Sequence, residues 1–177
     1  MTEDEIIKRL IHSNDTSAFS ILYDKYADKI YYKCLSLVKD KQLAQDLTHD
    51  IFVKIFVTIR KFNFQSSFAT WIYRITYNFC IDFIRKQQKQ QVTRLDEEED
   101  YVDDDIGDEE LFAISVDKLE VILAQIPSED KAILLMKYQD ELSLKDIMQL
   151  LDISESATKM RIKRAKEKVI TLSKSIN

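Results

Sequence analysis

Between Phe62 and Lys86 the chain reads FNFQSSFATWIYRITYNFCIDFIRK, a run of aromatic, amide and guanidinium groups. Such groups can hold unpaired nucleic-acid bases: π faces stack on them while cations contact the phosphates. Phe68, Trp71, Ile72, Ile75, Phe79 and Phe83 recur at three- and four-residue steps, which predicts one apolar stripe on a helix. The remaining surface carries Tyr73, Arg74, Tyr77, Asn78, Asp82, Arg85 and Lys86. Phe62 and Phe64 precede the helix in a polar loop where no stripe requires them, so they are expected as exposed aromatics. An aromatic core stripe with a solvated far side fits the same spacing, and Trp71 fits either side.

A second candidate lies near the C-terminus. Ser143-Leu-Lys-Asp146 has the form of a capping box, with Asp in place of the usual Glu or Gln, and opens a short helix through Leu151. Asp152-Ile153-Ser154 breaks it, and a long basic helix follows from Ser154 or Glu155. Short helix, tight turn and basic helix is the helix-turn-helix pattern, whose second helix enters the major groove. Ile147, Leu150, Leu151, Ile153, Ala157 and Ile162 are expected to join the two helices, leaving Thr158, Lys159, Met160, Lys163 and Arg164 outward. A solvated face on an amphipathic terminal helix is the plain alternative.

Other chemistry finds little support. His12 and His49 are the only histidines, and Cys34 and Cys80 lie apart within apolar helical patterns. They supply no nucleophile–base pair. Asp46, His49 and Asp50 have a spacing that suits a metal, but nothing nearby completes the shell. Neither catalysis nor a cofactor is expected. The thiols read as small core residues in a reducing cytoplasm.

The elements that must position these residues are helices. One Gly and one Pro in 177 residues leave the pattern almost unpunctuated, which argues against strand-rich folds. The first part predicts a short opener over residues 3–11, then three long amphipathic helices. Asp15 or Thr16 caps the second, Asp40 the third and Ser66 or Ser67 the fourth. The last part predicts helices over 111–125 and 127–138, then the two of the helix-turn-helix. No leader precedes them and no apolar run spans a bilayer, so a soluble cytoplasmic protein is expected, with no membrane insertion.

Net charge is −5, but it is unevenly distributed. Eleven of the fifteen residues from Asp96 to Glu110 are acidic, which leaves twenty acids against twenty-six Lys plus Arg elsewhere. From Lys159 to Lys174, seven basic residues face only Glu167. Like charges at the density of the acidic block resist packing and predict a flexible tether. The fold class expected is therefore all-α, two small helical domains (a three- to four-helix bundle and a helix-turn-helix domain) at 1–91 and 111–177, joined by an acidic flexible linker at 92–110.

With both modules in this order, the chain resembles a bacterial RNA polymerase sigma factor of the extracytoplasmic-function class. Asp46-Leu47-Thr48-His49-Asp50-Ile51-Phe52-Val53-Lys54-Ile55-Phe56 resembles the family's motif for gripping the β′ coiled coil of core polymerase. Phe68 to Asn78, followed by Asp82 to Lys86, is similar to the helix that reads and opens the −10 element. Ile126-Pro127 and Ser143 to Lys166 are similar to the −35-binding domain. The sequence departs from the family at His49, where Gln is usual, at Asp152, where Gly is common, and at Ser156-Ala157-Thr158, where Gly-Thr-Val is typical. A short polar side chain tolerates left-handed geometry, so Asp152 fits the turn.

The resemblance implies roles residue by residue. Asp46, His49, Asp50 and Lys54 would meet core polymerase. Phe62, Phe64, Ser66, Ser67, Arg74, Asn78, Arg85 and Lys86 would bind the −10 element, the loop and Asn78 forming a pocket for a flipped base. Thr158, Lys159, Met160, Arg161, Lys163 and Arg164 would bind the −35 element. The β flap of the polymerase and an anti-sigma factor would be further partners. The acidic tether would imitate nucleic acid in the polymerase RNA path, unless it is only a solvated tether. An ordinary helix-turn-helix regulator would account for 126–168 but leave the Phe62–Lys86 surface without a use.

Overall fold

The computed structural model describes residues 1–13, 15–89 and 107–176. The described residues are helical throughout, with no strand among them, and the chain divides into two compact units, Met1–Gln87 and Gln88–Asn177. The tether expected at 92–106 lies outside the described residues, as does the expected domain end at 91.

In the first unit α1 (Glu3–Ser13) packs on α2 (Thr16–Val38), which packs on α3 (Lys41–Thr58), and α4 (Phe68–Lys89) follows a short 3-10 turn at Ile59–Lys61. The helix starts obey capping chemistry. Asp15 accepts from the Ser17 amide at 3.0 Å, Asp40 from the Leu43 amide at 2.7 Å, and Ser67 from the Thr70 amide at 3.1 Å. Helix α2 ends at Lys39 in left-handed geometry, φ 58°, whose amide returns to the Leu35 carbonyl.

The core runs along four-residue steps: Leu22, Tyr26, Ile30 and Cys34 on α2, Leu47, Ile51 and Ile55 on α3, and Phe68, Ile72, Thr76 and Cys80 on α4. That line corrects the expected stripe of α4. Ile72 is buried as expected, but Ile75, Phe79 and Phe83 are only half-buried, and the small residues Thr76 and Cys80 take the innermost places. Cys34 and Cys80, expected as isolated thiols, meet with their Sγ atoms 3.5 Å apart. Helix α1 is tied down by Ile6, Ile7 and Leu10, and by Glu3, which accepts hydrogen bonds from Lys25 and, at 2.9 Å, from the Tyr26 hydroxyl. Burial, then that carboxylate, hold the Tyr26 phenol above its ordinary pKa.

The second unit is built on α9 (Glu155–Ser175), against which α5 (Asp108–Phe112), α6 (Val116–Gln125), α7 (Ser128–Leu134) and α8 (Leu144–Leu151) all pack. The single helix expected over 111–125 is two: Ser115 adopts the extended geometry of an N-cap and restarts the chain as α6. The helix expected through Tyr138 changes to a π turn at Leu135–Gln139. Residues 108–110, expected in the tether, begin α5. Two of these three acids meet cations: Asp108 pairs with Lys166 at 2.7 Å and accepts from the Tyr138 hydroxyl at 2.7 Å, and Glu110 lies 3.6 Å from Lys174. Asp130 holds Lys168 from α7.

Candidate nucleic-acid interface

The loop ahead of α4 separates two neighbouring phenylalanines. Phe62 is 5 % exposed and Phe64 41 %. Phe62 therefore departs from the expectation of an exposed aromatic. Its ring meets Phe68 at 5.3 Å and Trp71 at 5.5 Å, and Phe68 stacks on Trp71 at 5.6 Å with 22° between planes. Trp71, unassigned from sequence, is the half-buried edge of this aromatic shelf. Phe64 lies on the shelf, 4.7 Å from Phe62 between centroids, and adopts φ 58°. Left-handed backbone is uncommon for a bulky residue and costs about 1–3 kcal/mol. The adjoining turn is fixed by Asn63, whose side-chain oxygen accepts from the Gln65 amide at 3.2 Å.

Arg74, Asn78 and Arg85 are exposed and recur at helical spacing, so they share one strip of α4, with Trp71 at its N-terminal edge. Lys86 is exposed beside the strip, Asp82 lies 3.9 Å from Arg85, Ser66 is half-buried and Ser67 is exposed as the cap. Sequence reasoning missed Lys8. Its Nζ lies 5.6 Å from the Phe64 centroid, a contact between α1 and the loop that no local pattern signals.

A second surface lies on α3. Asp46, His49, Asp50 and Lys54 are all exposed, and Gln42 donates to Asp46 at 3.3 Å. Val53 and Val57 extend the same face and are also exposed. These were missed, although a signal exists: the run IFVKIFV is too apolar for one buried stripe, and Val53 and Val57 fall four apart on its far side. Among the described residues, no cluster of three or more His, Cys, Asp or Glu could hold a metal ion.

In the second unit, Ser143 and Asp146 form a reciprocal capping box: Ser143 Oγ accepts from the Asp146 amide at 3.1 Å while the Ser143 amide donates to Asp146 at 3.3 Å. Asp152 takes left-handed geometry, φ 55° and ψ 49°, and Ser154 caps α9 through the Ala157 amide at 3.2 Å. Thr158 does not face outward. It is fully buried and its hydroxyl donates to the Ser154 carbonyl at 2.8 Å, which satisfies the polar group inside the helix's own first turn. Lys159, Met160, Arg161 and Arg164 are exposed and Lys163 half-buried. Lys159 pairs with Glu155 at 2.6 Å and holds that carboxyl below its ordinary pKa. Ile147 and Leu150 are buried as expected, whereas Leu151, Ile153, Ala157 and Ile162 are half-buried.

Comparison with known proteins bears on both units. Residues 22–90 match the model of Sigma-70 region 2, and residues 117–169 that of Sigma-70, region 4. The chain is 31% identical over 170 residues to the ECF RNA polymerase sigma factor SigW of Bacillus subtilis (strain 168), covering 89% of each. Its fold is similar to the structure of CnrH in complex with the cytosolic domain of CnrY, with a TM-score of 0.65 at 16% identity over 99% of this chain and 100% of that one. It is also similar to the sigma factor RpoE in complex with the anti-sigma factor NepR from Bartonella quintana. There the TM-score is 0.62 at 16% identity, over 90% of this chain and 98% of that one. Two family models in this order, with a relative that matches nearly end to end, decide the assignment: the chain belongs to the ECF RNA polymerase sigma factors, non-catalytic transcription factors that bind RNA polymerase and recognise promoters.

Proposed function

We propose that the protein directs core polymerase to promoters by recognising separate −10 and −35 elements and by capturing an opened base at the former. The single observation that carries this reading is Phe64, held in left-handed geometry with its ring exposed on the shelf of Phe62, Phe68 and Trp71. Unstacking a base costs a few kcal/mol, and stacking on an aromatic returns about 1–3 kcal/mol. Strand capture near such a balance depends on promoter sequence. Phe64, Ser66, Ser67 and Asn78 take the flipped base, and Arg74, Arg85 and Lys86 hold phosphates. Phe62 acts from beneath as support.

Lys159, Met160, Arg161, Lys163 and Arg164 meet the −35 duplex, and Thr158 acts only as the fastening of α9. Asp46, His49, Asp50 and Lys54, with Val53 and Val57, meet the β′ coiled coil of core polymerase, and the second unit meets the β flap. An anti-sigma factor is a further partner, supported by the RpoE–NepR complex of similar fold. The work is cytoplasmic, where polymerase and promoters are, and no helix among the described residues is long and apolar enough to cross a membrane.

In vitro transcription with purified core enzyme and a promoter library tests the proposal. Initiation at defined start sites with permanganate-reactive −10 thymines is expected. Failure to associate with core, or to initiate anywhere, would overturn it.

A further inference from the structure

Cys34 and Cys80 are the only cysteines of the chain and have no part in promoter recognition as derived above. They lie on α2 and α4, 46 positions apart, both 0% exposed, with the Cys80 thiol donating to Cys34 Sγ at 3.5 Å. A disulfide is about 2.05 Å long, so the two atoms already stand in contact without an intervening side chain. A lone buried thiol is inert, but a thiol with a partner at contact distance has a group ready to resolve any oxidised intermediate. Thr76, one helical turn before Cys80 on the same buried line of α4, has an Oγ1 atom with no hydrogen-bond partner. An incoming oxygen species would find a polar group there.

We propose that Cys34 and Cys80 form a dithiol modification site whose oxidant is a small neutral peroxide and whose product is an intramolecular disulfide joining α2 to α4. One sulfur, as thiolate, attacks a peroxide oxygen, and the O–O bond breaks. The departing hydroxide takes up the displaced thiol proton and leaves as water, giving a sulfenic acid. The second sulfur then attacks the first, the S–O bond breaks, and the oxygen leaves as water with the second thiol proton. Two thiols and one peroxide thus give one disulfide and two waters; the sulfurs lose two electrons and the peroxide oxygens gain them.

Either sulfur can attack, since each has the other at contact distance to resolve the sulfenic acid, and the thiol-to-sulfur hydrogen bond favours the thiolate of whichever accepts it. Burial selects the reagent. Hydrogen peroxide can enter a brief opening between α2 and α4, whereas a charged tripeptide disulfide such as oxidised glutathione cannot. Intracellular disulfides of this kind are usually transient and redox-sensing.

The test treats the full chain with hydrogen peroxide, blocks remaining thiols by alkylation, and maps peptides without reduction. A Cys34–Cys80 cross-linked peptide lighter by two hydrogens is expected, with denatured thiol titre falling from two to zero and restored by dithiothreitol. The oxidised protein should unfold at a higher temperature, since the closed loop constrains the unfolded chain. Cys34→Ala and Cys80→Ala, each keeping a small apolar side chain, should abolish that thermal shift. Two free thiols after treatment, sulfinic or sulfonic acids without a cross-link, or cross-links between molecules would each overturn the proposal. So would equal reactivity with oxidised glutathione. None of these readouts involves polymerase or DNA.

Discussion

Phe62 and Phe64 stand two positions apart with the same side chain, and their substitutions should be opposite in kind. Phe62 supports three aromatic neighbours from inside the loop, so Phe62→Ala should lower stability by about 3–5 kcal/mol. Loss of core binding and DNA opening should go together. Phe64 is 41 % exposed and its ring meets Phe62 and Lys8, so Phe64→Ala should leave the denaturation midpoint nearly unchanged while slowing open-complex formation roughly tenfold, the equivalent of one stacked base. Denaturation and permanganate footprinting of both variants check this, and an equal stability loss in Phe64→Ala would refute the distinction. The sequence put both residues in a loop. It did not show that one of them turns inward, because that depends on Phe68 and Trp71 meeting it from a separate helix.

Helix α5 shows how an element can depend on a few charges. Its Asp108 carboxyl is held below the ordinary range by Lys166 first and by the Tyr138 hydroxyl next. A depressed carboxyl stabilises the fold above its unfolded pKa, about 4, and that contribution disappears as pH falls through the folded value. Asp108 is about half exposed, which screens the pair. Asp108→Asn should therefore cost only about 1 kcal/mol at neutral pH, and the difference from wild type should shrink as pH falls from neutral into strong acid, through the depressed folded pKa. Denaturant titrations at neutral pH and in strong acid decide; a difference that persists in acid would mean the charge is not the cause. In the first unit, Lys39 closes α2 at φ 58°. Lys39→Gly removes the side-chain strain of left-handed geometry and should raise stability by about 0.5–1 kcal/mol, read from the thermal midpoint.

Ion pairs tie the C-terminal half of α9 to other helices of its unit. The basic run of α9 looks continuous in sequence, but Lys166, Lys168 and Lys174 are engaged by Asp108, Asp130 and Glu110. Lys159, Arg161 and Arg164 stay on the exposed surface of its N-terminal half. Under the proposed −35 contact, Arg164→Gln should reduce the slope of log K against log salt for holoenzyme on promoter DNA by about 0.9. Lys168→Gln should leave that slope unchanged. Equal effects would mean that the tail acts as an undivided polycation.

The all-α class, the helix starts at Asp15, Asp40, Ser67, Ser143 and Ser154, and the left-handed turn at Asp152 were legible because each depends on contacts within a few residues. The order of the two modules was legible too, from motif spacing along the chain. Only the tertiary structure turned Phe62 and Thr158 inward, set Thr76 and Cys80 rather than Phe79 on the innermost line of α4, and brought Cys34 to Cys80. Helical periodicity fixes which residues share a face. How deeply each lies, and what it touches, is decided by the close packing of helices distant in sequence.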